Sequence, residues 1–290
     1  MAATRSQFRI FLRNPTGVAG LVILLLVIAA ALLAPVLFPD DPLDMVTRPF
    51  VWPLTNWDYP LGSDSLGRDV LAGIVHGARV SMLIGVAATM IGLVIGILVG
   101  ATAGYFGGKL DDLLVRVTEV FQTFPPFLLV VVLVAIAGSS VATITLAIGI
   151  VSWPTIARLV RSEFRSLRER DFVLAARGLG YSSARIVFRE ILPNAMPPVI
   201  VTASVMVATA ILAESALSFL GLGDPNLISW GSMIGDGRDQ LRTAWYLVAL
   251  PGTALVLSVL SLNLLGDGLT DALNPRARGP RSRGPRARGR

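Results

Sequence analysis

Residues Leu174–Pro193 read LAARGLGYSSARIVFREILP. The stretch carries Arg177, Arg185, Arg189 and Glu190 inside a chain that is otherwise strongly apolar. Its residues have helical spacing on both sides of a Gly-Leu-Gly break. Asp171 is placed to cap a short helix over Phe172–Arg177, which Gly178 and Gly180 end. Ser182 or Ser183 starts a second helix. Pro193 is expected to stop it, because proline lacks the N–H that a helix interior uses. Upstream, RLVRSEFRSLRERDFVLAA from Arg158 sets Leu159, Phe164, Leu167 and Phe172 among many charges, as a polar helical extension of the preceding apolar segment would. Such an interval joins two apolar segments, or it presents a surface. Ala175 and Ala176 would keep that surface low enough for a partner to approach closely, and Gly180 would permit the turn that presents it.

The surroundings of this interval set the fold class. Of the 290 residues, 53% are hydrophobic and 15% charged. Soluble domains carry about 25% charged residues, so the deficit points to a bilayer. A helix needs about 20 apolar residues to cross the hydrocarbon. Six stretches qualify: 16–38, 80–106, 120–138, 140–158, 197–221 and 244–266. The expectation is an all-α polytopic membrane protein with six transmembrane helices. It divides into an N-terminal segment 1–15, a first span 16–38, an outer segment 39–79, a five-helix core 80–270 that contains the loop 158–196, and a basic tail 271–290. The first span is too long for a signal-peptide core and reads as a retained anchor.

Positive charge sets the orientation. With the N-terminus inside and six spans, 20 of the 25 Lys and Arg residues fall in inside segments. Both termini and the 174–193 interval are therefore expected on the cytoplasmic side. The tail RARGPRSRGPRARGR is then a basic end held near anionic lipid, and nucleic acid is not the expected partner.

Several chemistries are excluded by residue type. The chain has no cysteine and one histidine, His76, so no metal cluster is expected. AGYFGGKLDD around Lys109 is not a phosphate loop: Ala103 stands for its first glycine and Leu110 for its Ser/Thr. No H-E-x-x-H or G-x-S-x-G occurs. No catalytic residue and no bound cofactor are expected, and any nucleotide would be bound by another chain.

Three further features stand out. Glu214, in TAILAESALSFLG, lies deep in the fifth span, where an ionisable residue is a functional candidate or is satisfied by Ser215, Ser218 or a neighbouring helix. Gly92, Gly96, Gly100 and Gly104 recur every four residues and form one ridge for close helix packing. In LGSDSLGRDVLAGIVHGARVS, Ser63 or Asp64 would cap an interfacial helix starting near Ser65, with Leu66, Val70, Leu71, Ile74 and Val75 on its apolar face.

The interval also resembles the EAA loop of the permease subunits of ABC importers, whose pattern is E-A-A-x-x-x-G-x9-I-x-L-P. Ala175, Ala176, Gly180, Leu192 and Pro193 match in register; Leu174 stands at the family Glu and Glu190 at the family Ile. LGSDSLGRDVLAGIVHGARVS (with Gly62, Asp64, Gly67, Arg68, Asp69, Gly77 and Arg79), GYFGGKLDDLLVRVTEVFQTFP, AESALSFLGLG with SWGSMI, and LGDGLTDALNPR are similar to the C-type permeases of dipeptide, oligopeptide and nickel importers. The resemblance implies a type I ABC importer permease fold in a bacterial inner membrane. It implies half of a translocation pathway for peptides, or for nickel, glutathione or another small solute; a stand-alone channel or scaffold is the competing class. The implied partners are a second related permease, two cytoplasmic ATP-binding subunits, an extracytoplasmic binding protein and membrane lipid. The implied coupling residues are Asp171, Leu174, Ala175, Ala176, Arg177, Gly180, Leu192 and Pro193. On this reading Ala176→Trp uncouples transport from ATP hydrolysis and leaves insertion intact.

Overall fold

Asn14 starts the first helix: its side chain accepts from the N–H groups of Thr16 and Gly17, and Pro15 follows at the first helical position, where no N–H is needed. The computed structural model describes residues 11–273, so residues 1–10 and most of the basic tail lie outside the described residues. Within them the secondary structure is helical: α1 Pro15–Leu37, α2 Val70–Phe106, α3 Gly108–Thr123, α4 Pro126–Ala137, α5 Val141–Leu167, α6 Asp171–Gly178, α7 Ser183–Phe219, α8 Trp230–Gly237 and α9 Tyr246–Leu273. Five of these, α1, α2, α5, α7 and α9, are each long and apolar enough to cross a membrane.

The expected third span, 120–138, is not a straight helix. α3 and α4 meet at 79°. Pro125 and Pro126 explain the bend: a residue before proline is pushed to extended backbone, and Phe124 and Pro125 have ψ of 139° and 122°. Pro126 then opens α4 at its first position.

Three local expectations are corrected. No separate interfacial helix precedes the second span. α2 runs unbroken for 37 residues, about 55 Å at 1.5 Å per residue. Asp69 caps it, accepting from Leu71 N–H at 2.8 Å, while Asp64 instead closes a turn by accepting from the N–H groups of Leu66 and Arg68. Asp171 is not a cap either: Arg170 holds that position without a side-chain bond, and Asp171 is the first helical residue. Pro193 does not stop its helix. A π-turn over Ile186–Ile191 widens the backbone just before it, with Leu192 N–H reaching back to Val187 O, and gives the proline ring room. Asn194 Nδ2 donates to the Glu190 carbonyl at 2.7 Å, and α7 continues to Phe219.

Packing centres on α2 against α5, the most extensive helix pair. The four glycines of α2 face α5 along its length. A Cβ at Gly96 would stand 2.6 Å from Ile156 Cβ, one at Gly100 2.5 Å from the Ala157 carbonyl, and one at Gly104 2.6 Å from Phe164 Cβ; at Gly92 it would overlap the Ser152 hydroxyl. Gly149 of α5 answers from the other side, against Ile91 and the Ala88 carbonyl. α1 lies on α9 by the same device, through Gly17, Gly20 and Gly268, and Asn14 Nδ2 donates to Asp271 Oδ2 at 2.8 Å. Replacing Gly100 with Leu should force α2 from α5 and cost about 1–3 kcal/mol or more. Thermal unfolding in detergent checks this; the same change at Gly252, which faces open space, should leave the midpoint unchanged.

Candidate functional site

Residues 168–193 form a compact knob at the junction of α5 and α7. α6 ends in a Schellman turn: Gly180 has φ +76°, its N–H bonds the Arg177 carbonyl, and Tyr181 N–H bonds the Ala176 carbonyl. Ser182 then caps α7. The knob is held by a shared core in which Val173, Ala176, Ile186 and Ile191 pack with Val160 and Phe164 of α5 and Ala195 of α7.

This core separates the sequence candidates. Ala175, Leu174, Arg177, Gly180 and Asp171 are on the exposed side of the knob, as is Pro193, and Leu192 is partly buried. Ala176 is not: it is 5% exposed and faces the core. It holds α6 down and does not present it. The apolar residues that stand exposed here are Phe172 and Leu174 of α6, Leu179 just past its end and Phe188 of the π-turn.

Three arginines tie the end of α5 and the knob to the end of α2 and to α3; of these only Arg177 was a candidate from the sequence. Arg161 of α5 makes a two-point ion pair with Asp111 of α3, at 2.5 and 2.7 Å. Arg168 Nη1 donates to the carbonyls of Gly104 and Tyr105, where the C-terminus of α2 leaves them without helical partners. Arg177 lies over the Tyr105 ring, 5.7 Å from its centroid. Charge spacing alone did not reveal these contacts, because each joins residues fifty or more positions apart in the chain.

A second cluster lies at the other end of the bundle. Ser81 and Tyr105 both belong to α2 and are about 36 Å apart along its axis. Here Glu214 of α7 is 1% exposed. Its Oε1 accepts from Ser218 Oγ at 2.8 Å; its Oε2 accepts from Ser81 Oγ at 3.1 Å and Ser215 Oγ at 3.4 Å. Trp230 N–H, at the start of α8, donates to Ser81 Oγ at 3.4 Å, and its indole N–H donates to the Ile74 carbonyl at 3.0 Å. Gly77 sits under the Trp230 ring, and Gly231 lies directly on the Ser215 backbone.

The outer-segment motif builds the cover of this end. Gly62 and Gly67 take φ of +81° and +82° and lie so close to the carbonyls of Val51 and Thr47 that no side chain fits. Buried Ser63 donates to the Arg48 carbonyl and accepts from Val51 N–H. The hydroxyl of Tyr246, at the start of α9, lies 2.9 Å from the Ser63 carbonyl and 3.1 Å from that of Val51. Burial pushes the Asp69 carboxyl up, and N–H bonds from Leu71 and Ala72 oppose that shift. Arg68 Nε is buried without a hydrogen-bond partner among the described residues, and Arg79 is exposed. His76 Nε2 lies 2.9 Å from the Phe38 carbonyl and so joins α2 to the end of α1.

Residues 92–279 match the family model for binding-protein-dependent transport system inner membrane components. The chain belongs to that family. Residues 4–55 match the N-terminal transmembrane domain of oligopeptide transport permease C. The chain is 40% identical to the di/tripeptide transport system permease protein DppC of Pseudomonas aeruginosa, over 92% of this chain and 90% of that protein. It is 38% identical to the dipeptide transport system permease protein DppC of Alkalihalophilus pseudofirmus, over 94% and 90%. Its fold is similar to that of a chain of the inward-facing MetNI methionine ABC transporter, with a TM-score of 0.56 and 21% identity over 70% of this chain and 96% of that one. The protein is a multi-pass membrane permease of the ABC importer class with a type I importer fold.

Two outcomes follow from the knob. Ala176→Trp should lower the yield of folded protein on fluorescence-detected gel filtration, since no space exists for an indole in that core. Asp111→Asn should cost about 1–2 kcal/mol. A double-mutant cycle with Arg161→Gln, read by thermal unfolding, should return most of that as coupling between the two residues.

Proposed function

We propose that this permease forms one half of a peptide-translocation pathway and that the 168–193 knob is where a cytoplasmic ATP-binding subunit docks. The exposure of apolar residues on and just past α6 is the observation that carries the docking reading. Phe172, Leu174 and Leu179 stand free at a helix tip rigidly joined to α5 and α7, and arginines surround them. An ATPase pair that closes on ATP would displace this knob, and the long helices would carry the displacement across the membrane as a shift between two packings. The nucleotide belongs to the partner in this reading, and the permease itself does no chemistry. A second related permease completes the pathway and an extracytoplasmic binding protein delivers the solute. Peptide is the solute because the relatives named above, alike over nine-tenths of their length, are di- and tripeptide permeases.

The charge distribution supports an orientation with both termini and the knob in the cytoplasm. A phosphatase fused after the last residue should therefore be inactive in cells, and a cytoplasmic reporter fused there should be active; the reverse pair of results would invert the topology.

Ala175→Trp places bulk on the free face without touching the core. It should leave insertion and yield intact, reduce co-purification of the ATPase subunit on the order of tenfold, and abolish uptake of a labelled dipeptide into proteoliposomes. Wild-type uptake by this variant would refute the docking surface. Uptake of nickel or glutathione in place of dipeptide would refute the solute assignment and leave the architecture standing.

A further inference from the structure

α7 is one helix from the docking knob to the opposite end of the bundle. Ser183, beside the exposed α6, and Glu214 are 31 positions apart on it, about 45 Å of helix that includes the π-turn and Pro193, Pro197 and Pro198. At the far end of that rod stands a buried carboxylate that neither insertion nor docking requires. Glu214 accepts from three serine hydroxyls, two on its own helix and one on α2. No ion pair to Glu214 is present among the described residues. A buried acid without a cation is costly to keep unless its acceptors are satisfied. The arrangement satisfies them with hydroxyls from two different helices, α7 and α2.

The bond to Ser81 is the one that crosses between helices. Ser81 Oγ donates to Glu214 and accepts from the first N–H of α8, so a single hydroxyl joins α7, α2 and the start of α8. Close backbone contact reinforces the junction: Gly231 of α8 leaves no room for a side chain against Ser215, and Gly235 lies on Phe219. Arg238, just after α8, donates to the Phe219 carbonyl at 3.1 Å and closes the C-terminus of α7. α8 in turn lies against α9, and Tyr246 of α9 holds the cover built from Val51 and Ser63.

We infer that Glu214 is a positioning residue for coupling, the latch that joins the far end of the α7 rod to α2 and α8. Through it a displacement of the knob reaches the cover at the opposite end, and occupancy of that end reaches the knob. This rests on the docking reading above. With the latch cut, each end keeps its own structure but ceases to inform the other.

The test uses the complete transporter, with both permeases and the ATPase subunits, reconstituted in proteoliposomes. ATP hydrolysis is measured alone and with the purified binding protein loaded with dialanine. Glu214→Gln keeps the shape but replaces one acceptor with a donor. The double variant Ser81→Ala with Ser218→Ala leaves the carboxylate and removes two of its three donors, the one on α2 among them, with Ser215 retained. Both should assemble and hydrolyse ATP at the basal wild-type rate, while stimulation by the loaded binding protein falls on the order of tenfold. Glu214→Ala should show the same loss in whatever fraction assembles. A purely packing role would lower yield and basal rate together and leave the stimulated-to-basal ratio unchanged, and that result overturns the latch. Wild-type stimulation in the Gln and double-serine variants overturns it equally. If the wild-type chain fails to assemble with any ATPase, the docking reading falls instead.

Discussion

The structure depends on backbone-to-backbone contact along α2. Lipid tails are as apolar as leucine, so burying apolar side chains does little to hold helices together inside a bilayer. What remains is dispersion at short range, which requires small residues in register. Gly92, Gly96, Gly100 and Gly104 provide that against α5, and Gly149 returns it. The placement of the knob follows from this seam. It sets α5 beside α2 along their length, so the polar extension of α5 reaches the end of α2. There Arg168 meets the terminal carbonyls of α2, and Arg161 meets Asp111 of α3.

The two ends of the bundle are built from different materials. The knob end uses long cationic side chains: Arg161 on a carboxylate, Arg168 on helix carbonyls and Arg177 over an aromatic ring. Such contacts can re-form over short displacements. The opposite end uses short hydroxyls, glycines with positive φ and one buried carboxylate, with little free length in any contact. A compliant end suits a surface pushed by a partner. A stiff end suits one that has to hold a closed shape until α7 moves.

The long helices themselves were visible in the residues, since twenty apolar positions in a row leave few alternatives. Boundaries that hinge on proline were not. Pro125 and Pro126 break what hydropathy shows as one span, while Pro193 breaks nothing, because a π-turn before it opens the helix. Proline alone does not say which will happen; the fate of the freed carbonyls does, and that depends on neighbours such as Asn194. The loop pattern was legible as a spacing, yet a spacing does not tell which alanine faces out. Ala175 and Ala176 differ by about 100° around α6, and only the packing of Val173, Ile186 and Ile191 turns one inward.

By itself, then, the sequence determined the class of solvent, the number of apolar runs, the glycine ridge, the polar interval with its turn at Gly180, and Glu214 as a residue to be accounted for. These are local properties: an apolar run, a four-residue period, a glycine after a short helix or an acidic residue inside an apolar run is written in adjacent residues. The tertiary structure alone decided that Ser81 meets both Glu214 and the start of α8, that three arginines join α5 and the knob to α2 and α3, and that Tyr246 of α9 holds the cover at Val51 and Ser63. Those facts depend on which residues meet across distances of fifty to two hundred positions, and chain spacing carries no signal for such meetings until the helices have packed.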